Sequence, residues 1–450
     1  MRRLFGTDGA RGIAVTELSC ELAMNIGRAA AQLLACGNTG ERPRILVGRD
    51  TRVSSEVLEC ALAAGICSVG ADAELVGVVS TPALAYLLVQ YGADAGVMIS
   101  ASHNPAEYNG IKLFSRKGRK LPDSTEEELE RLIFGEEGAF RLCSGADVGR
   151  IVRRENARRD YAEYIKRCAE CDLTGMRIAL DCANGSAAET AEEIFRSLGA
   201  EVVAVGCSPD GVNINEGCGS THIEGLCALV KEKGLDAGFA FDGDADRCLA
   251  VDEKGALVDG DKLIAVLARR LKSSGRLREN TAVVTVMSNL GLRNSLLREG
   301  IKTVAAKVGD RYVLEEMLGG GYNIGGEQSG HIILSDYATT GDGQLTAVMA
   351  ARVMQETGQT LSELTADLIT YPQTQINVKI PAASKGKWQS CAAVMQMIRE
   401  AERELGSSGR VLVRESGTEP LIRILTEGKD KQLNRLLAEE IEEMIKAALC

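Results

Sequence analysis

Residues 44–50, RILVGRD, form a short apolar run that ends in charge, and SSEVLECALAAGICSVG follows at 54–70. The second stretch begins with a Ser suited to cap a helix, and its apolar residues have helical spacing. The alternation continues to DAGVMIS at 94–100, which predicts another buried strand. Alternating units of this kind predict parallel strands covered by helices on both faces.

The same alternation restarts twice further along the chain. It begins again at RIALDCANG, residues 177–185, and at TAVVTVMS, residues 281–288. The pattern predicts helices over 187–198 and 361–369, whereas the polar stretch 115–160 is expected to form loop and exposed helices that close the first domain. The last segment differs, because an extended stretch bounded by prolines leads into a short α+β region and an amphipathic helix at 431–449. We therefore predict an α/β fold class, with three repeated domains of mixed or parallel sheets and a smaller C-terminal α+β domain. The predicted domains span residues 1–155, 156–256, 257–370 and 371–450.

The composition excludes several classes of protein. With 52 basic and 63 acidic residues, the 450-residue chain has a net charge of −11, which argues against a broad nucleic-acid-binding surface. No run of 18 apolar residues is present, so we expect no membrane helix. The 14 cysteines are not at framework spacings. The stretch MRRLFGTDGARG has a basic start without an apolar segment after it, so we expect no signal peptide. We therefore expect reduced thiols and a cytoplasmic location.

The first candidate site is ISASHNP, residues 99–105, directly after the strand predicted at 94–100. Its small and polar residues place Ser102 and His103 beyond the carboxyl end of a parallel strand, where open α/β sheets bind ligands. Ser102 is a candidate nucleophile. A loop of ordinary turn-forming residues is the alternative, and the hydrolase pattern G-x-S-x-G is absent from this stretch.

The second candidate site is DGDADR, residues 242–247, directly after the apolar strand DAGFAF. Carboxylates at i, i+2 and i+4 can converge on an oxygen-rich pocket suited to a divalent cation such as Mg²⁺. An EF-hand loop does not fit, because Arg247 occupies the sixth position, which requires Gly. A phosphatase with Asp242 as nucleophile and a solvated loop without function are the alternatives.

Two further segments are suited to a polar ligand. GEQSGH, residues 326–331, offers the side chains of Glu327 and Ser329 to sugar hydroxyls. VRESGTEPLIRI, residues 413–424, offers positive charge and N–H donors to a phosphate dianion. Its candidate residues are Arg414, Ser416, Gly417, Thr418 and Arg423. Each segment by itself is also compatible with ordinary turn chemistry.

Together these segments resemble the α-D-phosphohexomutases over nearly the whole chain. The matching motifs, in order and at comparable intervals, are FGTDGARG (5–12), ISASHNP, NGIKLF (109–114), DGDADR, VGDRYV (308–313), GEQSGH and RESGTEP (414–420). The resemblance implies four domains around a central cleft. The opening motif and Gln328 look like the bacterial members that act on glucosamine phosphates, since members that act on mannose and glucose phosphates more often have Met at that position.

The resemblance implies a phosphoryl shuttle. Ser102 would carry a phosphoryl group, donate it to give glucosamine 1,6-bisphosphate, and take back the other phosphate. Glucosamine 6-phosphate and glucosamine 1-phosphate would thereby be interconverted. The metal ligands for one Mg²⁺ would be Ser102, Asp242, Asp244 and Asp246, and the other catalytic residues would be Arg11, His103, Lys112, Arg247 and His331. Arg11 and Arg247 would neutralise the transferring group, and Lys112 and His331 are the two candidates for moving the hydroxyl proton.

The same resemblance sets the expected partners. The substrate would be a small hexosamine phosphate, and a kinase or a bisphosphate sugar would first phosphorylate Ser102. Neither nucleic acid nor membrane is expected, and a homodimer is the expected assembly. The rival functions are phosphomannomutase/phosphoglucomutase activity and a non-catalytic sugar-phosphate-binding protein.

The chain departs from the family pattern at two site positions. Ala245 stands where many members have Gly, which is without consequence only if its φ is negative. Glu415 stands where many members that act on glucosamine phosphates have Pro, and it places a negative charge beside the predicted phosphate site.

Overall fold

The computed structural model describes residues 4–6, 8–34, 42–135, 140–381, 384–415 and 421–449. Contacts divide the chain into two units, the first comprising Met1–Met287 and Gly300–Ala366 and the second comprising Ser288–Glu299 and Asp367–Cys450. The predicted α/β fold class is confirmed by four sheets whose strands alternate with helices. None of the described helices is both long enough and apolar enough to cross a membrane.

The first sheet is mixed. Its strands are Phe5–Gly6 (β1), Gly9–Ile13 (β2), Arg44–Arg49 (β3), Asp72–Val78 (β4), Ala95–Ile99 (β5), Tyr108–Ser115 (β6), Arg119–Lys120 (β7) and Ile151–Arg153 (β8). They follow the order β1-β2-β6-β5-β3-β4-β8, with β7 beside β6. β3 is parallel to β4 and β5, whereas β6 is antiparallel to β5 and β2. The helices of this region are Cys20–Leu34 (α1), Val53–Ser68 (α2), Thr81–Tyr91 (α3) and Asp123–Ile133 (α4).

The second sheet repeats the pattern with fewer strands. Its elements are Ala157–Ala169 (α5), Arg177–Asp181 (β9), Ala191–Ser197 (α6), Glu201–Val205 (β10), Glu224–Lys233 (α7), Ala237–Phe241 (β11), Cys248–Asp252 (β12) and Leu257–Val258 (β13). β9 is parallel to β10 and β11, and β12 returns antiparallel to β11. The completely buried run of β11, AGFAF, is typical of a strand covered on both faces.

The third sheet has the order β15-β14-β16-β17. This part of the chain contains Gly260–Ser273 (α8), Thr281–Thr285 (β14), Leu290–Arg298 (α9, which belongs to the second unit), Lys302–Ala306 (β15), Asp310–Gly320 (α10), Ile324–Gly326 (β16), Ile332–Leu334 (β17), Gly343–Thr357 (α11) and Leu361–Leu364 (α12). β14 is parallel to both neighbours, and β17 is antiparallel to β16.

The second unit is an antiparallel sheet covered by helices. Its remaining elements are Gln373–Lys379 (β18), Ala392–Leu405 (α13), Gly409–Glu415 (β19), Leu421–Gly428 (β20) and Lys431–Leu449 (α14), with the strand order β18-β20-β19. α14 buries Leu437, Ile441 and Ile445 in the core of this unit. The predicted C-terminal amphipathic helix is therefore confirmed.

Some elements differ from the sequence expectation. The helix expected over 361–369 ends at Leu364, and the helix expected over 187–198 begins as a 3-10 turn before α6. The stretch 115–160 was expected to contain only loop and exposed helices, but it also contains β8. That strand pairs parallel with β4 and extends the first sheet. Only three residues long, β8 offers too little alternation to be recognised as a strand from sequence.

The first sheet is covered on one side by two helices, α1 and α2, whose backbones approach closely at Gly65. A Cβ atom added at Gly65 would lie 2.1 Å from the backbone carbonyl oxygen of Met24. Such an overlap can be relieved only by moving the two helices apart.

We therefore expect Gly65→Ala to destabilise the fold by roughly 1–3 kcal/mol, the usual range for overpacking a tight interior. Differential scanning calorimetry would detect this as a lower unfolding temperature. Gly225→Ala in α7 is the matched control, because its added Cβ meets nothing within 4 Å. An unchanged transition in Gly65→Ala would show that the two helices have room to separate.

Candidate active site

The predicted nucleophile lies in a strained and buried loop at the carboxyl end of β5. Ser102 has a φ of 53° and is 1% exposed. Its Oγ donates a hydrogen bond to Asp242 Oδ2 at 2.6 Å, and its N–H donates to Ser100 Oγ at 3.0 Å. Left-handed backbone at a residue other than Gly persists only where its surroundings enforce it, and such strain is concentrated at functional sites.

A buried ion pair enforces this loop conformation. The Arg52 guanidinium is completely buried, pairs with Asp50 at 2.9 Å, and donates to the backbone oxygens of Ser102, Asn104 and Pro105. Asp50 also accepts hydrogen bonds from Ser55 and Ser100. The serine loop is thereby held by side chains at the end of β3 and the start of α2.

The three aspartates of DGDADR lie together, as the sequence predicts. Asp242, Asp244 and Asp246 are buried, and each offers a carboxylate oxygen within 4.8 Å of the others. One oxygen each of Asp244 and Asp246 (Oδ1) has no hydrogen-bond partner among the described residues. Buried carboxylate oxygens without partners are costly unless something binds them. The donor set therefore fits a hard divalent cation.

Lys112 on β6 is the main counter-charge to these carboxylates. Its Nζ lies 2.7 Å from Asp244 Oδ2 and 3.7 Å from Asp246 Oδ2. It also lies 3.2 Å from Asp8 Oδ2. Asp244 Oδ2 accepts a further hydrogen bond from Thr81 Oγ1, at the start of α3. Strand β6 of the first sheet thus supplies a cation, and helix α3 supplies a hydroxyl donor, to a carboxylate in the loop after β11.

The electrostatic environment shifts the pKa values of Asp242 and Asp246 in opposite directions. Burial, with Asp246 and Asp244 close by, raises the pKa of Asp242 to about 8. Burial would also raise the pKa of Asp246, but Lys112 and His331 hold it well below its ordinary value. Burial works to lower the pKa of Lys112, yet Asp244 and Asp8 raise it above the ordinary value. The surroundings thus stabilise the charged forms of Lys112 and Asp246 and disfavour the charged form of Asp242.

The two predicted histidines have different surroundings. His103 Nδ1 lies 3.4 Å from Ser102 Oγ, and burial, with Arg247 and Arg11 nearby, lowers the pKa of His103 to about 4. His331 directly precedes β17, with Nδ1 at 3.6 Å from Asp246 Oδ2 and Nε2 accepting from the Gly341 N–H at 3.1 Å. Burial would lower the pKa of His331, but Asp246 raises it overall. The surroundings therefore favour the neutral form of His103 and the charged form of His331.

The two predicted arginines both present an unused donor in the same region. Arg11 pairs with Asp8, and Arg247 Nε lies 3.9 Å from both Asp242 Oδ2 and Asp246 Oδ1. The buried Nε atoms of Arg11 and Arg247 have no hydrogen-bond partner among the described residues. Unsatisfied guanidinium donors beside a serine hydroxyl are suited to oxygens of a phosphoryl group.

The sugar-loop residues are placed differently from each other. Glu327 Oε1 accepts from the Gly309 N–H at 3.0 Å, and its own N–H donates to the His331 oxygen. Ser329 is exposed. The loop therefore fixes Glu327 and His331 together and leaves the serine hydroxyl accessible.

The predicted phosphate residues of the second unit lie on its sheet. Arg414 on β19 is directly opposite Arg423 on β20. Burial and the charge of Arg423 lower the pKa of Arg414. The departure Glu415 accepts a hydrogen bond from the Gly386 N–H, which draws its carboxylate to that backbone. Ser416, Gly417 and Thr418 lie outside the described residues.

Ala245 has a φ of 53°. The replacement of Gly by Ala would be without consequence only at a negative φ, so it is not harmless here. The left-handed region costs an L-residue about 1 kcal/mol or more. The departure therefore adds backbone strain to the aspartate loop. Its buried methyl group is accommodated at this position.

Four family models together match most of the chain. Phosphoglucomutase/phosphomannomutase α/β/α domains I, II and III match residues 2–139, 159–255 and 259–371, and the C-terminal domain of the same family matches 376–444. The chain belongs to the α-D-phosphohexomutase family. A protein of Clostridium novyi named phosphoglucosamine mutase is 52% identical over 445 residues, 99% of each chain. One of the same name from Thermoanaerobacter sp. is 51% identical over 451 residues, 100% of each.

Solved structures of phosphohexomutases have the same fold. A family protein from Burkholderia thailandensis superposes with a TM-score of 0.81 at 24% identity, covering 100% of this chain and 98% of that one. An N-acetylphosphoglucosamine mutase from Aspergillus fumigatus, in complex with GlcNAc-6P and magnesium, superposes with a TM-score of 0.70 at 16% identity. It covers 99% of this chain and 96% of that one.

Several residues of this phosphohexomutase site were not identified from the sequence. Asp8 contacts Arg11, Lys112 and Lys120, and Lys120 also pairs with Asp310. Asp8 and Asp310 belong to the motifs FGTDGARG and VGDRYV, so the motifs carried a signal that was not assigned to these positions. Nothing in the sequence indicated that Thr81, Asp50 and Arg52 belong to the site. It indicated only the start of a helix at Thr81 and a charged strand end at Asp50.

The aspartate cluster generates a prediction about Asp244. We expect Asp244→Asn to lose Mg²⁺ affinity in isothermal titration and to reduce kcat by at least roughly 100-fold, because a metal ion contributes several kcal/mol to such chemistry. Asp252→Asn is the matched control. That carboxylate is buried on β12, and its hydrogen-bond donors among the described residues are the backbone N–H groups of Lys254 and Ala256, which an amide oxygen retains. Full activity after exhaustive chelation would show that the aspartate loop has a structural role and holds no metal that the reaction needs.

Proposed function

We propose that this phosphohexomutase interconverts glucosamine 6-phosphate and glucosamine 1-phosphate, as an isomerase that transfers a phosphoryl group within its substrate. The observation that carries the proposal is the hydrogen bond from Ser102 Oγ to Asp242, beside the buried carboxylates. It stands in a chain about half identical, over nearly its whole length, to proteins named phosphoglucosamine mutase. The reaction is a step in carbohydrate metabolism toward UDP-N-acetylglucosamine and the peptidoglycan precursors.

The proposed cycle begins with a phosphorylated Ser102. The bond between its Oγ and phosphorus breaks, a bond from phosphorus to a sugar hydroxyl oxygen forms, and the hydroxyl proton leaves to a base. The product is glucosamine 1,6-bisphosphate. After the bisphosphate turns over, the reverse chemistry at its other phosphate regenerates phosphoserine. Each half-reaction thus breaks one P–O bond and forms another. The Ser102 oxygen takes up a proton when it loses phosphorus and gives it up when it is phosphorylated again, and the proton lost by one sugar hydroxyl is returned to the other sugar oxygen.

The chain's own residues suit each part of this cycle. Asp242, Asp244 and Asp246, with the Ser102 oxygen, would hold Mg²⁺, which when bound neutralises charge on the transferring group. Arg11 and Arg247 would donate to the phosphoryl oxygens. Glu327 and Ser329 would bind sugar hydroxyls, and Arg414 and Arg423, with Ser416, Gly417 and Thr418, would bind the other phosphate.

Lys112 and His331 are the proposed groups for moving the hydroxyl proton. The ion pairs of Lys112 with Asp244 and Asp8 favour its ammonium form, so Lys112 must give up these contacts before it can act as a base. His331 has a lower ordinary pKa and exchanges a proton more readily near neutral pH. His103 is proposed to orient the serine oxygen in its neutral form.

The rest of the proposal concerns organisation and setting. We propose the domain boundaries 1–155, 156–256, 257–370 and 371–450, a homodimeric assembly and a cytoplasmic location. The partner that first phosphorylates Ser102 would be a kinase or a bisphosphate sugar. Neither nucleic acid nor a membrane is a proposed partner.

Active enzyme should contain phosphoserine at position 102. Intact-mass and peptide mass spectrometry should find about 80 Da, one phosphoryl group, at this serine. Ser102→Ala should lose both the phosphopeptide and the activity, whereas Ser54→Ala at the start of α2 should retain both. A fully active Ser102→Ala enzyme would rule out the shuttle.

The opposed pair Arg414 and Arg423 should hold substrate. A charge-assisted hydrogen bond to phosphate is worth about 1.5–3 kcal/mol. Arg423→Ala should therefore raise KM roughly 10- to 100-fold with kcat nearly unchanged, at about 1.4 kcal/mol per decade. Arg403→Ala, an exposed position on α13, is the control for loss of a positive charge on the same unit. An unchanged KM in Arg423→Ala would place the phosphate clamp elsewhere.

The amino-sugar assignment is tested by a coupled assay with glucosamine 6-phosphate, glucose 6-phosphate and mannose 6-phosphate side by side. We expect glucosamine 6-phosphate to have the highest kcat/KM, with glucose 6-phosphate turned over slowly. A single charge-assisted contact to the C2 ammonium supports a preference of roughly tenfold or more. Equal or higher kcat/KM for mannose 6-phosphate would assign the enzyme to phosphomannomutase activity.

A further inference from the structure

Two thiols, those of Cys182 and Cys207, meet at the carboxyl edge of the second sheet. Cys182 directly follows β9 and Cys207 follows β10, two parallel neighbours whose last paired residues are Asp181 and Val205. The Cys182 N–H and the Cys207 thiol both donate to the carbonyl oxygen of Val205, at 3.0 and 3.3 Å. The two thiols are close enough for each to shift the pKa of the other.

The two members of this pair differ in accessibility and acidity. Cys182 is completely buried, whereas Cys207 is partly exposed. The closeness of Cys182 lowers the pKa of Cys207, and the same closeness together with burial raises the pKa of Cys182. An accessible sulfur with increased thiolate character beside a second thiol is the arrangement of a peroxide-sensitive cysteine and its resolving partner.

The loop that contains Cys182 supports both catalytic loops. Its next two residues, Ala183 and Asn184, have left-handed backbones, with φ of 56° and 48°. The Ala183 oxygen accepts from the Asn215 N–H, and the Asn215 side chain donates to the Ser102 oxygen at 3.0 Å.

The same loop also contacts the aspartate loop. Ser186 donates from both its N–H and its Oγ to the oxygen of Gly243, which lies between Asp242 and Asp244. A displacement of the Cys182 loop would therefore reach the serine and two aspartates through a few hydrogen bonds.

We propose that Cys207 and Cys182 form a disulfide when the enzyme meets hydrogen peroxide, and that this bond lowers turnover reversibly. The Cys207 thiolate attacks peroxide, the O–O bond breaks, and a sulfenic acid and hydroxide result. The Cys182 sulfur then attacks the Cys207 sulfur, the S–O bond breaks, and water leaves with the Cys182 proton. Peroxide is the two-electron oxidant, and a thiol reductant reverses the step.

Formation of the disulfide would bring the two sulfurs closer together than they are as separate thiols. Because Cys207 lies on the partly exposed turn and Cys182 on the strained supporting loop, the shift is expected to reach the Ser102 loop through Asn215. A misplacement of about 1 Å in such a site can reduce rates by about 100-fold. We expect oxidation to reduce turnover by roughly tenfold.

The crosslink can be measured without reference to activity. After peroxide treatment of the full-length enzyme and alkylation, trypsin should release residues 178–196, which contain Cys182, joined to residues 197–231, which contain Cys207, Cys218 and Cys227. Fragment spectra should assign the bond to Cys207, and dithiothreitol should separate the peptides. Absence of this crosslink would overturn the proposal.

The loss of turnover is measured on the mutase activity proposed above. Wild type should lose activity with peroxide and recover it with dithiothreitol, whereas Cys207→Ser should be active and unaffected by peroxide. Cys218→Ser is the matched control, because Cys218 lies beside Asn184 and burial raises the pKa of its thiol to about 11. It should behave as wild type.

Two results would overturn the regulatory part of the proposal. These are equal inactivation of Cys207→Ser by peroxide, and full activity of crosslinked wild type. A reduced wild-type enzyme without mutase activity would instead count against the proposed function, and the crosslink measurement would stand independently of it.

Discussion

The mutual repulsion of three buried carboxylates is the constraint that organises the first unit. Asp242, Asp244 and Asp246 have oxygens within 4.8 Å of one another and are almost completely excluded from solvent. Such a cluster is stable only with compensating charge. The aspartates follow the second sheet, Lys112 comes from the first and His331 from the third. The three sheets are therefore coupled through charge at the point where their loops meet.

Backbone strain is concentrated in the same loops. Ser102 and Ala245 both have φ of 53°, and Ala183 and Asn184 are left-handed in the adjoining loop. Strained backbone of this kind persists only when hydrogen bonds and packing over-determine it. The Asp50–Arg52 pair provides this for Ser102, since one buried guanidinium donates to three carbonyl oxygens of its loop. Hydrogen bonds from outside the loop thus hold Ser102 in its strained conformation.

Much of the architecture could be predicted from sequence because strong signals are local. Apolar runs and helix caps indicated the alternating elements, and loops such as DGDADR follow their strands where predicted. Long-range pairings left little local signal. Asp8 joins Lys112 and Lys120, and Thr81 donates to Asp244, a residue 163 positions away. The left-handed φ of Ala245 could not be predicted either, because alanine is not a residue type that marks left-handed backbone in a sequence. β8 and α12 differ from the sequence expectation for the same reason, because they have only three and four residues, respectively.

The chain is acidic overall, with a net charge of −11, but it brings cations together at particular points. Arg414 and Arg423 are directly opposite on neighbouring strands, an arrangement of like charges that destabilises a sheet. A phosphate dianion bound between two guanidiniums would turn that repulsion into attraction. The buried Nε atoms of Arg11 and Arg247 lack a protein acceptor among the described residues, and an anionic oxygen would satisfy them. The phosphate-binding role proposed for both pairs therefore rests on charge that is placed locally, which the net charge of the chain does not reveal.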